Sequence, residues 1–279
     1  MAITANEVNQ LRLATGAGMM DCKKALVEAE GDFDLAVEIL RKKGQKVSAK
    51  RADREAKEGA VFIKSDDSSK EAVIIELNAE TDFVARNQDF QSLGESIISL
   101  ASAEKPANLD ALKALSLDGR SVSEHLVDAM ARIGEKIDVS KYEKISGDQV
   151  VAYIHPGARI GVVVAFANIN GKDASEVGKD VAMQIAAMNP LAVDKDGIDE
   201  STVNKEIEIG MDIARNEGKP EAMLEKIARG KLNKFYKDNT LINQDFVKDT
   251  SKSVGQYIKE QLGPDAQVLG FKRVQLGTN

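Results

Sequence analysis

Cysteine and histidine are scarce in this sequence, which has 279 residues but only one cysteine, Cys22, and two histidines, His125 and His155. A single cysteine excludes an intramolecular disulfide and fits a reducing compartment. So few cysteines and histidines also exclude a metal site with the ligand spacing of structural zinc. We therefore expect neither a disulfide framework nor a bound metal.

Long apolar runs are absent as well. None approaches the roughly 20 residues that a helix needs to cross a bilayer. The first residues, 1–7, contain neither the basic region nor the apolar core of a secretory signal. These absences predict a soluble, cytoplasmic protein that does not associate with a membrane.

An excess of basic charge is also missing, since 38 basic residues face 45 acidic ones and the net charge is −7. A protein whose main task is to neutralise phosphates is normally basic overall. The charge therefore disfavours nucleic acid, DNA included, as the principal ligand.

The motifs of common catalytic and nucleotide-binding sites are not found either. There is no Gly-x-Ser-x-Gly elbow. Each Gly-Lys pair lacks the Ser or Thr that must follow in a phosphate-binding loop; the four pairs begin at Gly171, Gly178, Gly218 and Gly230. We predict that the chain is not an enzyme, needs no cofactor and does not bind a nucleotide directly.

Three short helices are predicted within residues 1–45. Thr4 and Glu7 have the spacing of a capping box at the start of the first helix. Gly16-Ala17-Gly18 separates the first helix from the second, and Gly44 is predicted to end the third. Residues 46–58 mix charges with little apolar content, which indicates a linker that is partly helical and binds no ligand.

Beyond Gly59 the pattern changes to strands followed by a helix. Apolar runs at 60–63 and 72–77 precede a helical pattern through Phe90 and Leu100. The same order returns with runs at 149–154 and 159–166 and a helix over 173–188. Neither unit can bury its own faces, so we predict two related subdomains, 59–142 and 143–279, packed together or side by side.

An antiparallel helical hairpin is predicted within the second subdomain, at about residues 190–238. Its two amphipathic helices are joined at Gly218-Lys219-Pro220. A C-terminal module at about 240–279 follows, with a helix that starts at Ser251 or Ser253 and a closing strand over 267–276. The fold class is therefore α+β, with an N-terminal bundle of three helices.

Thr81-Asp82-Phe83-Val84 lies between the strand at 72–77 and the helix that follows. A strand-to-helix corner on a rigid scaffold can present side chains to a partner. In the alternative interpretation, Thr81 and Asp82 cap the helix and Phe83 packs beneath it.

Three further residues have two interpretations each. Met19 and Met20, on the glycine-flanked corner, either fill the core of the bundle or form an adaptable contact surface beside Arg12. His155, at a hairpin turn, either bonds the backbone of the turn or faces a partner.

Two segments resemble the signatures of a known family. LRLATGAGMMDCKKAL, residues 11–26, and ELNAETDFVAR, residues 76–86, are similar to the two signatures of the bacterial translation elongation factor Ts family. Residues 153–164 are similar to its second-subdomain motif. Elsewhere the resemblance is architectural: the bundle matches a domain similar to the ubiquitin-associated (UBA) domain, and the hairpin matches a coiled-coil protrusion.

The resemblance implies a guanine nucleotide exchange factor for the GTPase elongation factor Tu. It implies that Thr81, Asp82, Phe83 and Val84 act beside the nucleotide site of that partner and dislodge its Mg²⁺. It also implies that Arg12, Met19, Met20 and His155 make further contacts with the partner. A homodimer within a 2:2 complex is left open.

Two other classes of function remain open at this point. A non-catalytic adaptor or scaffold would use the UBA-like bundle to capture a partner without changing nucleotide release. A small-molecule enzyme with its site between the subdomains would need a deep pocket with convergent polar groups, and no candidate pair stands out.

Overall fold

The computed structural model of the chain describes residues 3–278. It opens with a bundle of three helices, as predicted: α1 (Ala5–Thr15), α2 (Met19–Glu28) and α3 (Phe33–Arg51). The predicted capping box is confirmed, since the Glu7 amide donates to the Thr4 hydroxyl and the Thr4 amide to the Glu7 carboxylate. Cys22 is buried in the small apolar core of the bundle.

The prediction that Gly44 ends the third helix was wrong. α3 continues through this glycine to Arg51, so residues 46–51 of the expected linker are helical, in agreement with the prediction of a partly helical segment. Gly44 is buried, and a Cβ at this position would lie 3.3 Å from the Cβ of Ala131. The glycine therefore serves close packing against a neighbouring helix instead of chain reversal.

The first α+β unit contains a three-stranded antiparallel sheet and several helices. Its elements in chain order are β1 (Glu58–Ser65), β2 (Glu71–Ala79), α4 (Asp82–Ala85), α5 (Gln88–Glu104), α6 (Leu109–Ala114), β3 (Ser116–Leu117), β4 (Arg120–Ser121), α7 (Val122–Ile133) and β5 (Ile137–Ser146). The strand order in the sheet is β1-β2-β5.

Strand β5 is not among the elements predicted from the sequence, and the predicted boundary between residues 142 and 143 falls inside it. The strand pairs with β2 as far as Ser146, opposite Glu71. Its register shifts by one residue, since Lys141 faces Glu76 but Val139 faces Leu77. This bulge interrupts the alternation of apolar residues on which sequence-based recognition of a strand depends.

The second unit has the same plan with longer insertions. Its elements are β6 (Gln149–Ile154), β7 (Ile160–Ala167), α8 (Ser175–Met188), α9 (Glu200–Asn216), α10 (Glu221–Asn239), β8 (Asp245–Phe246), β9 (Asp249–Ser253), α11 (Val254–Leu262) and β10 (Gln267–Gln275). The sheet order is β10-β7-β6. Helices α9 and α10 form the predicted hairpin, and Ser253 caps α11 with a capping box to Gln256. None of the helices within residues 3–278 combines the length and the apolarity that a membrane crossing requires.

The two units repeat one arrangement, which confirms the predicted α+β class. In each, a hairpin is followed by a helix, and a strand from the far end of the unit returns to pair with the second strand of the hairpin. The repeat extends to packing. Gly94 in α5 lies against Phe62 of β1, and Gly178 in α8 lies against Val151 of β6. In both units a glycine thus lets the helix approach the first strand of its hairpin closely.

The two sheets pack face to face. A buried cluster between them draws on both units and contains Val61, Ala72, Ile74, Val150, Val163, Ala165, Val274 and Leu276. Gly161 of β7 lies at the closest approach, where a Cβ would stand 2.5 Å from Val61 Cγ1. Helices cover the outer face of each sheet. Both faces of β2 and β7 are therefore buried, which explains their nearly continuous apolar sequences.

Replacement of Gly178 by Ala tests this helix-to-strand contact. An added methyl group at this position would stand 2.6 Å from Val151 Cβ. Because such overpacking forces the helix away from the sheet, we expect Gly178→Ala to lower the free energy of unfolding by about 1–3 kcal/mol, measured by urea denaturation.

Gly230→Ala is the matched control, since Gly230 is an exposed glycine in α10 with no atom within 4 Å of its added Cβ. Here only helix propensity acts, and we expect stabilisation by about 0.5–1 kcal/mol. A Gly178→Ala protein as stable as this control would show that the contact has no steric significance.

Candidate functional site

Phe83 is the most exposed of the large apolar side chains in residues 3–278, at 83% of its full accessibility. It lies in the four-residue helix α4, directly after β2. Its neighbours Val84 and Ala85 face the other way and pack on the apolar core beneath the first sheet. The alternative interpretation, in which Phe83 packs beneath the helix, was therefore wrong.

Asp82 and Arg86 flank Phe83 on the same turn. The Arg86 guanidinium donates to the Asp82 carboxylate at 2.9 Å, and the Arg86 side chain is largely exposed whereas that of Asp82 is half-exposed. An exposed pair of this kind contributes little to stability. The Asp82 carboxylate is thus paired with Arg86 on the turn that carries Phe83 and stays partly exposed to solvent.

Thr81 does not cap the following helix, contrary to the expectation from its position. Its side chain and its amide both bond Glu135, which follows α7. The hydroxyl donates to Glu135 Oε1 at 2.8 Å and the amide to Oε2 at 3.0 Å. The corner that carries Phe83 is therefore attached to a separate loop by a two-point contact.

Glu80 joins the same two segments in the opposite direction, with the acceptor now on the Phe83 side. Its carboxylate accepts the Lys136 amide at 2.7 Å and the Arg51 guanidinium at 2.6 Å. Burial raises the pKa of the Glu80 carboxyl, but the Lys136 amide and the Arg51 charge outweigh burial, and the net pKa lies below its ordinary value. The folded protein thus favours the ionised form of Glu80.

The Phe83 corner and the His155 turn lie along the same surface. An open concavity of about 860 Å³ is lined on one side by Thr81, Asp82 and Phe83 and on the other by the turn residues 157–159. The Val61 amide of β1 donates to the Ala158 carbonyl at 2.9 Å. The first hairpin and the turn at 157–159, which are more than 70 positions apart in the sequence, are thus joined where the two sheets meet.

His155 is exposed at the start of this turn. Its backbone amide donates to the Ile160 carbonyl, whereas its ring lies 2.9 Å from the Tyr153 hydroxyl, measured from Nδ1. His155 thus bonds the backbone of the turn through its own main chain, as one interpretation predicted, whereas its ring does not take part in those bonds. The partner of the ring is the Tyr153 side chain, and His155 is exposed in the turn whose residues 157–159 line the concavity.

Met19 and Met20 lie in the first turn of α2 and are 56% and 62% exposed, so the interpretation in which they fill the bundle core was wrong. Leu13, which the sequence analysis did not select, is 78% exposed on α1. Arg12 is exposed beside it. No bundle residue within the described chain, 3–278, lines the Phe83 concavity, so these residues form a separate surface.

Sequence reasoning also missed Arg51, Glu135 and Lys136. No motif identifies them, because each acts through a contact with a distant part of the chain. Glu80 lies within the quoted signature but has no function that its position alone reveals. Among residues 3–278 no group of three or more His, Cys, Asp or Glu side chains is arranged to hold a metal ion.

Binding residues often lie on loops and corners that a rigid scaffold positions. The fold and this surface together define the class of an α+β protein with a protein-binding surface. The family model described as Elongation factor TS matches residues 80–278. The chain belongs to the elongation factor Ts family, a family of translation elongation factors.

Curated relatives support this membership over the whole chain. Elongation factor Ts of Cytophaga hutchinsonii is 57% identical over 275 residues, which is 98% of this chain and 99% of the relative. The protein of the same name from Amoebophilus asiaticus is 51% identical over 277 residues, or 99% and 100% of the two chains. That from Porphyromonas gingivalis is 45% identical over 280 residues and covers both chains completely, at 100%.

Replacement of Glu80 by Gln tests the contribution of this carboxylate to stability. Because the pKa of Glu80 is lower in the folded state, its stabilising effect is complete above its ordinary value of 4.5 and is lost as the pH falls through the folded pKa. We expect Glu80→Gln to lower the free energy of unfolding at pH 7 by about 1–2 kcal/mol. The difference from the unmodified protein should shrink as the pH falls below 4.5.

Glu38→Gln is the control for this measurement, made by urea denaturation across a pH series. Glu38 is also a carboxylate with a lowered pKa, owing to its bond with Lys42, but it is exposed on α3. Its replacement should change stability little at any pH. A loss for Glu80→Gln that is independent of pH would rule out the ionic contribution.

Proposed function

We propose that the chain is the guanine nucleotide exchange factor of elongation factor Tu and that Phe83 acts on the nucleotide site of this partner. The observation that carries the proposal is the exposed Phe83 ring on a corner that Glu135 and Lys136 hold in place. Full burial of a side chain of this size contributes about 1.5–3 kcal/mol. That free energy is available only when another molecule covers the ring.

The groups that are disturbed in this proposal belong to the partner. In a GTPase the bound GDP and its Mg²⁺ are held by phosphate-loop amides and a few oxygen ligands. Phe83 enters an apolar crevice beside that site, and Asp82 competes for hydrogen-bond donors nearby. Phe is suited to this role because it buries a large area with few rotatable bonds. The displaced elements of the partner then hold Mg²⁺ and the β-phosphate less well.

A rigid corner matters because a wedge must deform its partner and not itself. Thr81, at the base of the corner, is fixed by two hydrogen bonds to Glu135. Val84, on the other side of Phe83, packs on the core. The free energy gained when the ring is buried can therefore stabilise a displaced conformation of the partner.

GDP and the exchange factor both bind the GTPase, and the effect of each on the binding of the other is reciprocal. If the chain weakens GDP binding by some factor, GDP weakens binding of the chain by the same factor. The complex of all three is therefore transient, and abundant GTP completes the exchange. The chain catalyses no covalent reaction in this scheme, and it acts in the cytoplasm, where translation takes place.

The bundle surface provides a second contact with the partner. Leu13, Met19 and Met20 are exposed there, with Arg12 beside them. Unbranched Met side chains adapt to irregular apolar surfaces. His155 contributes at the concavity beside Phe83. The homodimer within a 2:2 complex stays a prediction.

Phe83→Ala tests the wedge. We expect the rate of GDP release at a saturating concentration of the chain to fall about 10- to 100-fold, because the lost burial is about 1.5–3 kcal/mol. The half-saturating concentration should change much less, since the bundle contact remains. The measurement is release of a fluorescent GDP analogue from elongation factor Tu across a Mg²⁺ series.

Leu269→Ala is the control, because Leu269 is also exposed, at 55% of its full accessibility. It lies on β10 near Val268, which pairs with Phe166, whereas the His155 turn adjoins the opposite end of β7. We expect this variant to accelerate release as the unmodified chain does. Equal rates for Phe83→Ala and Leu269→Ala would refute the wedge.

Met19→Ser combined with Met20→Ser tests the bundle contact separately. We expect the half-saturating concentration to rise about tenfold, because two apolar contacts are lost, while the saturating release rate stays the same. Val27→Ser is the matched control, since Val27 is exposed on the same helix at its other end. A drop in the saturating rate with unchanged affinity would contradict the assignment of these residues to binding.

A further inference from the structure

The C-terminal end of α3 meets the Phe83 corner at a junction of four residues, Arg51, Glu80, Glu135 and Lys136. Arg51 belongs to the helix that begins in the N-terminal bundle. Glu80 directly precedes the Phe83 corner, and Glu135 and Lys136 follow α7. Three parts of the chain that are distant in sequence are thus in direct contact at this place.

Each contact at the junction joins two different segments. The Arg51 guanidinium bonds Glu80 at 2.6 Å, and the pair is mostly shielded from solvent. The Lys136 amide bonds the same carboxylate at 2.7 Å. The Lys136 ammonium bonds the carbonyls of Ala52 and Arg54, at 2.6 and 2.9 Å, which lie just past the end of α3. A cation at this end of a helix is also favoured by the helix dipole.

The rest of α3 is attached to the first α+β unit as well. Gly44 packs against Ala131 of α7, with Cβ atoms that would be 3.3 Å apart if Gly44 carried one. Arg41, one turn earlier, forms an ion pair with Glu124 at the start of α7. Helix α3 is therefore fixed at several points along its length and connects the bundle to the segment that carries Phe83.

We propose that Arg51 is a positioning residue through which the docked N-terminal bundle holds the Phe83 corner in its active orientation. The inference rests on the proposed function and adds a residue that positions the same site. The bundle then fixes the orientation of the Phe83 corner, because one unbroken helix connects the bundle to Arg51 and so to Glu80. A flexible linker at 46–58 would leave the corner without this support from the bundle.

The charges around the Glu80 carboxylate explain why Arg51 is suited to this role. Glu80 is held by a neutral amide and by two arginines, since Arg54 also approaches its carboxylate, at 3.5 Å. Of the two, Arg51 is the closer and the less exposed. Loss of its charge leaves a mostly buried carboxylate undercompensated, which favours loosening of the segment that carries it.

Arg51→Gln and Lys50→Gln form a matched pair of variants. Both remove one positive charge from the last turn of α3, but Lys50 is exposed to solvent. We expect Arg51→Gln to lower the saturating GDP-release rate by about threefold to tenfold, with less than about a twofold change in the half-saturating concentration. Lys50→Gln should match the unmodified chain, and Arg51→Lys, which keeps the charge but loses the planar fork, should fall between the two.

Amide hydrogen exchange gives a second readout that needs no partner. The Thr81 and Lys136 amides donate to Glu135 and Glu80 respectively. We expect both to exchange about threefold to tenfold faster in Arg51→Gln than in Lys50→Gln, because loosening of the junction exposes them. Amides in the core of α5 should be unaffected, which separates local loosening from unfolding.

The two readouts separate the possible failures. If the unmodified chain does not accelerate GDP release, the proposed function fails, and hydrogen exchange still decides whether Arg51 holds the corner. If the unmodified chain accelerates release but Arg51→Gln equals Lys50→Gln in rate and exchange, the positioning role is overturned. Faster exchange with an unchanged release rate would also overturn it, because the corner would then act without this support.

Discussion

The apolar contact between the two three-stranded sheets is the constraint on which the rest of this structure depends. Each sheet has helices on its outer face and must cover its inner face, and the two inner faces cover each other. Gly161 allows the close approach. This contact brings the Ala158 carbonyl to the Val61 amide, and so places the His155 turn beside the corner that carries Phe83.

Two kinds of interaction hold the corner that carries Phe83. Apolar packing of Val84 and Ala85 decides which way the corner faces, since these side chains point inward and Phe83 must point outward. Charged hydrogen bonds at Glu80 and Glu135 then fix the base of the corner. The Glu80 carboxylate is shielded and accepts from a backbone amide and a guanidinium, and charge-assisted bonds of this kind favour rigidity.

Local signals in the sequence were reliable where the interactions are local. The predicted capping box at Thr4 starts α1, and Ser253, one of the two predicted starts, caps α11, because donor and acceptor lie three residues apart. The five prolines fall between helices and strands, where a missing amide hydrogen costs nothing. Gly44 and β5 were misread because close helix packing and a bulged strand depend on distant partners.

The sequence by itself determined the α+β class, the tandem repeat, the helical hairpin and the segment that carries Phe83, since periodicity and capping act over a few residues. Only the tertiary structure decided that Phe83 points outward, that Thr81 bonds Glu135 instead of capping a helix, and that α3 reaches Glu80 through Arg51. These outcomes depend on which segments compete for the same space and the same hydrogen bonds. That competition takes place between residues far apart in the chain, where no local pattern records it.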